Sequence, residues 1–431
     1  MTGHGSTTRP VRVATIGAAL SANKGAAAML RTVLEVLPDH LGPCRFAVLT
    51  TYPDADRPRA EEAGVRVVPL TPVQLVFPVL PLLLLGWLLR RLGGSGRLAN
   101  RHPAVAALTG ADVIVDLAGV SFVDGRGVPI LGYNVVMTGA GLLSGTPVVK
   151  CAQALGPFRG RLNRLAARLV LPQVATVVAR GERTREHLAD LGLTNADEAA
   201  DLAFLLPVHD PDRDTAWAVL RAAGIDGPYA TVVPSAVVEG YAAARGLDYP
   251  ALMTRSCERL AAATGHPVVV LAHSARPGAP ASRMNDLPLV RGIGDRTTDD
   301  RVVALAEDLE PAVLRSIIGG GEVCVTSRFH AMVAALAELV PVLVVGWSHK
   351  YGEVLHDVGL DEWALTYDEL TQSALDARLD ALLAEREAVA SSLRATLPPV
   401  VDRARRNLVA IDRVLSGTAD GPGDERAGTS R

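Results

Sequence analysis

Cysteine is scarce in this 431-residue chain: Cys44, Cys151, Cys257 and Cys324 stand far apart, with no CxxC pair and no histidine at zinc-finger spacing. That pattern argues against a disulfide framework and a structural metal, and it fits a reducing, cytoplasmic compartment. Lysine is scarcer still, with Lys24, Lys150 and Lys350 set against forty arginines, so each surviving lysine asks for a reason. Excess charge is also missing. A formal net charge of −3 leaves no global footprint for nucleic acid, and any anion site has to be built locally. The first ten residues are polar and lack an apolar h-region, so no secretory signal is expected. Hydrophobic residues at 49% and charged residues at 21% exclude large-scale disorder and fibrous repeats.

What is present alternates. From Val11, short apolar runs (RVATIG, RFAVLT, VRVVPL, ADVIVDLAG, PVVKCAQALG, ATVVAR) are separated by helical text, starting with a helix from about Gly25 to Val36. Continuous apolar strands joined through helices imply right-handed crossovers in a parallel sheet. The pattern breaks around LLPVHDPDRD, and a second series follows: YATVVP, HPVVVLAH, LVRGIG, EVCVTS and VPVLVVG. The expected class is α/β, with two Rossmann-like domains. The expected divisions are a disordered N-terminus at 1–10, a first domain at 11–210, a second at 211–415 and a disordered tail at 416–431.

One stretch fits a soluble domain poorly. Residues 75–89 (LVFPVLPLLLLGWLL) contain no polar side chain and precede Arg90, Arg91 and Arg97. A span needs about 20 residues, and Pro78 and Pro81 near the start count against one. Docking on a membrane surface fits better, with Trp87 at the interface and the arginines on headgroups. Burial against this protein or a subunit partner is the third reading.

Candidate chemistry gathers at strand ends, where open α/β sheets bind ligands. Asn23, Lys24 and Gly25 follow the first strand at a helix start, a place suited to anions, although the spacing makes neither GxGxxG nor a P-loop. Ser121 and Asp124 follow ADVIVDLAG as contacts for a hydroxylated substrate, with a turn role equally open for Asp124. Gln153 and Arg180 end the next two strands. Most informative is EVCVTSRFHAMVAALAELVPVLVVGWSHK, which sets Arg328, His330 and Lys350 on one rim. Three cation-capable groups at adjacent strand ends suit a small dianion or trianion.

Taken together, the segments GAALSANKGAAA, LAGVSFVDG, CAQALGPF, ARGERTREHLADLGL and SRFHAMVAALAELVPVLVVGWSHK resemble, in order, the motifs of the polysaccharide pyruvyl transferases. The family's usual acidic residues are replaced by Ala26 and Gly181, and its glycine pair reads Ala118-Gly119. The resemblance implies a GT-B-like arrangement. It also implies transfer of pyruvate from phosphoenolpyruvate to two hydroxyls of an envelope or exported saccharide, as a cyclic ketal. Phosphoenolpyruvate would be a co-substrate, with no further cofactor, no metal and no nucleic-acid partner. Arg180, Arg328 and Lys350 would clamp the donor, His330 would protonate its methylene carbon, and Asp124 would be the base. A lipid-linked acceptor would place the protein on the inner face of the membrane. Two rivals stand beside this reading. One is a nucleotide-sugar glycosyltransferase using Glu353 and Asp361, and the other is a non-catalytic membrane-surface scaffold.

Overall fold

The computed structural model describes residues 9–21, 23–93, 101–278, 282, 284–346 and 349–417. Residues 1–8 and 418–431 of the two expected disordered ends, Arg97, Trp347 and Ser348 lie outside these. Ser416, expected in the tail, closes the last helix, Gln372–Ser416.

Two compact units emerge among the described residues, one within 9–19, 33–202 and 403–417, the other within 20–32 and 203–402. The first is built on parallel strands β1 (Val11–Ile16), β2 (Cys44–Thr50), β3 (Arg66–Pro69), β4 (Val113–Asp116), β5 (Val120–Val123), β6 (Val148–Gly156), β7 (Thr176–Arg180) and β8 (Ala196–Ala199). Their order is β3-β2-β1-β4-β6-β7-β8, with β5 beside β6. The second holds β9 (Ala230–Val233), β10 (Val268–Leu271), β11 (Val302–Leu305), β12 (Cys324–Thr326), β13 (Val342–Gly346) and β14 (Ala364–Thr366), ordered β11-β10-β9-β12-β13-β14. Both sheets are parallel and doubly wound, and their central strands are buried along their whole length, which is why they read as unbroken apolar runs.

This division differs from a single cut at Asp210 in two places. Residues 20–32 pack with the second unit because the turn after β1 finds its partners at the end of β10. Asn23 forms an antiparallel bridge with Ser274, and the Lys24 backbone N–H donates to the His273 carbonyl at 3.4 Å. The last helix belongs to the first unit from Arg403 onward. There Asn407 accepts from the Ala152 N–H at 2.7 Å and donates to the Ala200 carbonyl at 3.0 Å.

LVRGIG, expected as a strand, is helical, within Leu287–Arg296. Its buried Leu287, Val290 and Ile293 recur every three residues, a helix period that a short apolar text conceals. Gly294 lets this helix lie close on β11, because a Cβ there would stand 2.7 Å from that of Ala304.

The apolar run forms one continuous helix, Pro72–Arg91, long and apolar enough by length and composition to cross a membrane. Its Leu75, Val79 and Leu83 lie in the core of the first unit, whereas Phe77, Leu84, Leu85 and Leu88 face outward. A helix that supplies three core residues cannot leave for a bilayer without opening that core, so the span is the reading the fold disfavours.

Candidate active site

In the second unit, β9 lies between β10 and β12, the point where strand order reverses and α/β sheets open a crevice at the strand C-termini. Arg328, directly after β12, has a side chain only 14% exposed, and its Nη2 pairs with Oδ1 of the fully buried Asp286. The same oxygen accepts from the Ala236 N–H at 3.0 Å. Beside it, Tyr249 Oη and Ser327 Oγ are hydrogen-bonded at 2.7 Å, and Tyr351 Oη donates to the Ser327 carbonyl at 3.1 Å. The strand ends are thus braced by buried side chains, and the guanidinium is oriented before any ligand arrives.

Arg328 leads into the helix Phe329–Ala337, with His330 in its first turn. Gly25 is the surface against which His330 packs: a Cβ on Gly25 would lie 1.9 Å from His330 Nδ1. Asn23 Oδ1 accepts from the Gly25 N–H at 3.0 Å, capping the helix Lys24–Leu41 and satisfying one of its orphan donors. Lys24 is wholly buried and pairs with Asp308. Lys350 Nζ stands 4.8 Å from the Phe329 ring centroid and 5.4 Å from that of Tyr351, a cation–π position. Phe329 in turn meets His330 edge-on at 5.1 Å. His273 is pushed well below its ordinary value by burial, then by the charges of His330 and Arg328. It is therefore a neutral imidazole among cations.

The second unit therefore brings Asn23, Lys24, Gly25, Arg328, His330 and Lys350 into one neighbourhood. The backing residues Asp286, Asp308, His273 and Tyr249 were not legible as site residues. Asp286 precedes a helix and reads as a cap, and nothing in the spacing links it to Arg328.

The expected residues of the first unit have other occupations. Ser121 and Gln153 are both 1% exposed and bonded to each other at 2.7 Å. Gln153 also donates to the Asp116 carbonyl and to its Oδ1. Lys150 pairs with Asp116 and donates to Thr138 Oγ1 at 3.3 Å, so this lysine neutralises a buried carboxylate within a closed network. Asp124 accepts from the Arg159 N–H at 2.6 Å, the Gly160 N–H at 3.2 Å and Asn163 Nδ2 at 2.8 Å. Burial pushes its carboxyl up, but the bonds from Asn163, Gly160 and Arg159 outweigh burial and leave it below the usual value. These three donors tie the carboxylate to the Arg159–Asn163 segment, so that Asp124, expected as the base, also anchors this loop. Arg180, expected to clamp the donor, has its Nη1 bonded to Asp201 Oδ2 at 2.8 Å, with both side chains buried. Asp361 accepts from His356 at 3.0 Å on the surface. Among the described residues, no group of three or more His, Cys, Asp or Glu is placed to hold a metal ion.

Solved structures with this fold include a putative UDP-N-acetylglucosamine 2-epimerase from Listeria monocytogenes, 13% identical, covering 97% of this chain and 99% of that one with a TM-score of 0.57. The UDP-GlcNAc 2-epimerase from Methanocaldococcus jannaschii is 10% identical, covering 86% and 92%, with a TM-score of 0.55. Anabaena HepE in complex with UDP is 13% identical, covering 95% and 100%, at 0.53. At such identities the likeness establishes the fold alone: α/β, with two Rossmann-like, GT-B-like domains. The family model for polysaccharide pyruvyl transferase matches residues 23–349, and the chain belongs to that family. Membership makes it a transferase acting on a saccharide, and the match runs from Asn23, at the capped helix start, through Arg328 and His330.

Proposed function

We propose that the protein transfers pyruvate from phosphoenolpyruvate to two hydroxyls of a saccharide, forming a cyclic ketal and releasing phosphate. The observation that carries this reading is the pre-oriented Arg328 at the switch point of the second sheet, followed at once by His330 against Gly25. Phosphoenolpyruvate presents a phosphate and a carboxylate. Arg328 offers a planar guanidinium to one of them and Lys350 a point charge.

In the proposed reaction, His330 delivers a proton to the methylene carbon while a sugar hydroxyl adds to the neighbouring carbon and loses its proton. The C–O bond to phosphate then breaks, with charge on the leaving group held by the cations. The second hydroxyl closes the ketal, and its proton leaves with the phosphate. Two hydroxyl protons enter, and one methyl hydrogen and one phosphate proton result, so the balance closes without a metal or a redox partner. Arg180 and Asp124 take structural parts here, as ion-pair partner and loop anchor. The test is incubation with phosphoenolpyruvate and a panel of saccharides, free and lipid-linked, following phosphate release and the acceptor's mass. Gain of one pyruvate less water supports the reading.

A second reading is a nucleotide-sugar glycosyltransferase, which the GT-B-like fold also accommodates. It would release a nucleoside diphosphate and no phosphate from phosphoenolpyruvate. Asp361, one of the two acids that reading would use, is engaged with His356, which weighs against it.

A further inference from the structure

We propose that the first unit docks on an anionic lipid bilayer through the Pro72–Arg91 helix and a second, basic helix, Arg161–Val170. The second helix was not singled out by hydropathy because it is short and rich in arginine. Along it, Leu162, Leu165 and Leu169 are 56% to 62% exposed, while Asn163 and Ala167 face inward. Arg161, Arg164 and Arg168, all exposed, stand one residue before each leucine. A ridge of three leucines thus runs beside a ridge of three guanidinium groups, both repeating at i, i+3 and i+7, which is one stripe of a helix.

The two helices are connected through a third. The Val128–Ser144 helix packs against both, and Arg90 Nη2 donates to the Leu143 carbonyl at 2.6 Å. Its first turn adds exposed Val128 and Ile130. On the Pro72–Arg91 helix the outward residues include Phe77, Leu84, Leu85 and Leu88, and Arg91 lies over the Trp87 ring at 4.9 Å. Scattered exposed leucines are ordinary on a soluble protein, but three neighbouring helices that each show several are not.

Charge selects the occupant. Residues 63–111 and 125–181, which carry all three helices, contain no aspartate or glutamate and twelve arginines and lysines, of which Lys150 and Arg180 are neutralised in buried ion pairs, in a chain whose net charge is −3. A protein partner would match leucines with leucines and has no need of such segregation. A bilayer with anionic headgroups matches both features, with apolar side chains entering the acyl boundary and arginines meeting phosphates. This docking does not depend on the reaction proposed above, and its test reads no activity.

The experiment is flotation of the full chain with vesicles of phosphatidylcholine alone, or with phosphatidylglycerol at about one-third. The protein is expected to float with the anionic vesicles, less so as salt rises, and to remain largely behind with the neutral ones. The variant L162Q/L165Q/L169Q, checked for an unchanged circular dichroism spectrum, should bind the anionic vesicles at least about tenfold more weakly. R161Q/R164Q/R168Q should lose most of the salt-sensitive binding, each arginine counting for roughly fivefold, equivalent to about 1 kcal/mol. L84Q/L85Q/L88Q, which spares the core residue Leu83, should weaken binding on the other helix. The proposal is overturned if the wild-type chain floats with neither vesicle, or if the leucine and arginine variants float as well as wild type. It is overturned equally if the leucine variants turn a dimer into a monomer in gel filtration without changing flotation, which would make this face a subunit interface.

Discussion

Arg328 has a part in the fold that is separate from the donor contact proposed for it. From sequence it reads as an arginine at the solvent end of a strand, removable at little structural expense, but its guanidinium is paired with the fully buried Asp286. Arg328→Ala therefore leaves a buried carboxylate without its cation, and such broken pairs cost about 3 to 5 kcal/mol. Thermal unfolding of Arg328→Ala and of Arg328→Ala with Asp286→Asn separates the two roles. The double variant should regain stability yet still bind phosphoenolpyruvate weakly, whereas recovery of donor binding as well would confine Arg328 to the fold. Gly25 gives a second test at this scale. It stands at a helix start with ordinary backbone angles, where alanine would normally be welcome, but the added methyl would occupy the space of the His330 ring. Gly25→Ala should fold and should lower turnover on the order of a hundredfold, the scale expected when a reacting group moves by about 1 Å. Unchanged turnover would show that the position of His330 against Gly25 does not matter. The arginine, the histidine and the glycine were all legible as motif residues. Asp286, Asp308 and His273 were not, because what makes them matter is proximity across β10, β11 and β12, and sequence spacing does not encode proximity.

At the scale of elements, the strand ends are held by buried polar groups, His273 among them. Burial and the charges of His330, Arg328 and Lys24 hold His273 below its ordinary value of 6.5. The unfolded chain then takes up a proton near that value which the folded chain does not. Stability contributed by this group is complete above its ordinary value of 6.5 and falls away progressively as pH drops below it. His273→Gln should flatten that part of the profile, so that the difference in unfolding free energy between wild type and variant shrinks or reverses on acidification. A parallel pair of profiles would show that His273 is not the group responsible. The elements themselves were largely readable: β1, β2, β4, β6, β9, β10, β12 and β13 appear where apolar runs promised them. LVRGIG misled because six residues with two glycines carry too little periodicity to separate strand from helix. The strands β5, β8 and β14 are short and partly polar, so no apolar run marked them.

At the scale of the whole molecule, the family match makes the chain a saccharide-directed transferase, and the second sheet carries a cation-rich rim. The N-terminal motif belongs to that rim as well, since Asn23, Lys24 and Gly25 pack with β10 and His330 although they follow the first strand of the other sheet. That explains how the motif's lost acidic residue, now Ala26, leaves the rim intact: the contacts run through the Asn23 cap, the buried Lys24–Asp308 pair and the glycine surface. His330 and Lys350 should separate in kinetics, since the proposed reaction uses His330 in the transition state and Lys350 to hold the donor. His330→Gln is expected to lower turnover with little change in donor affinity, and Lys350→Ala to raise the apparent dissociation constant. Equal loss of affinity in both would make His330 a binding residue. The most direct measurement is calorimetric titration of the full chain with phosphoenolpyruvate and, in parallel, with UDP. The account predicts saturable binding of phosphoenolpyruvate that Lys350→Ala weakens, and no binding of UDP. Binding of UDP with none of phosphoenolpyruvate would contradict it.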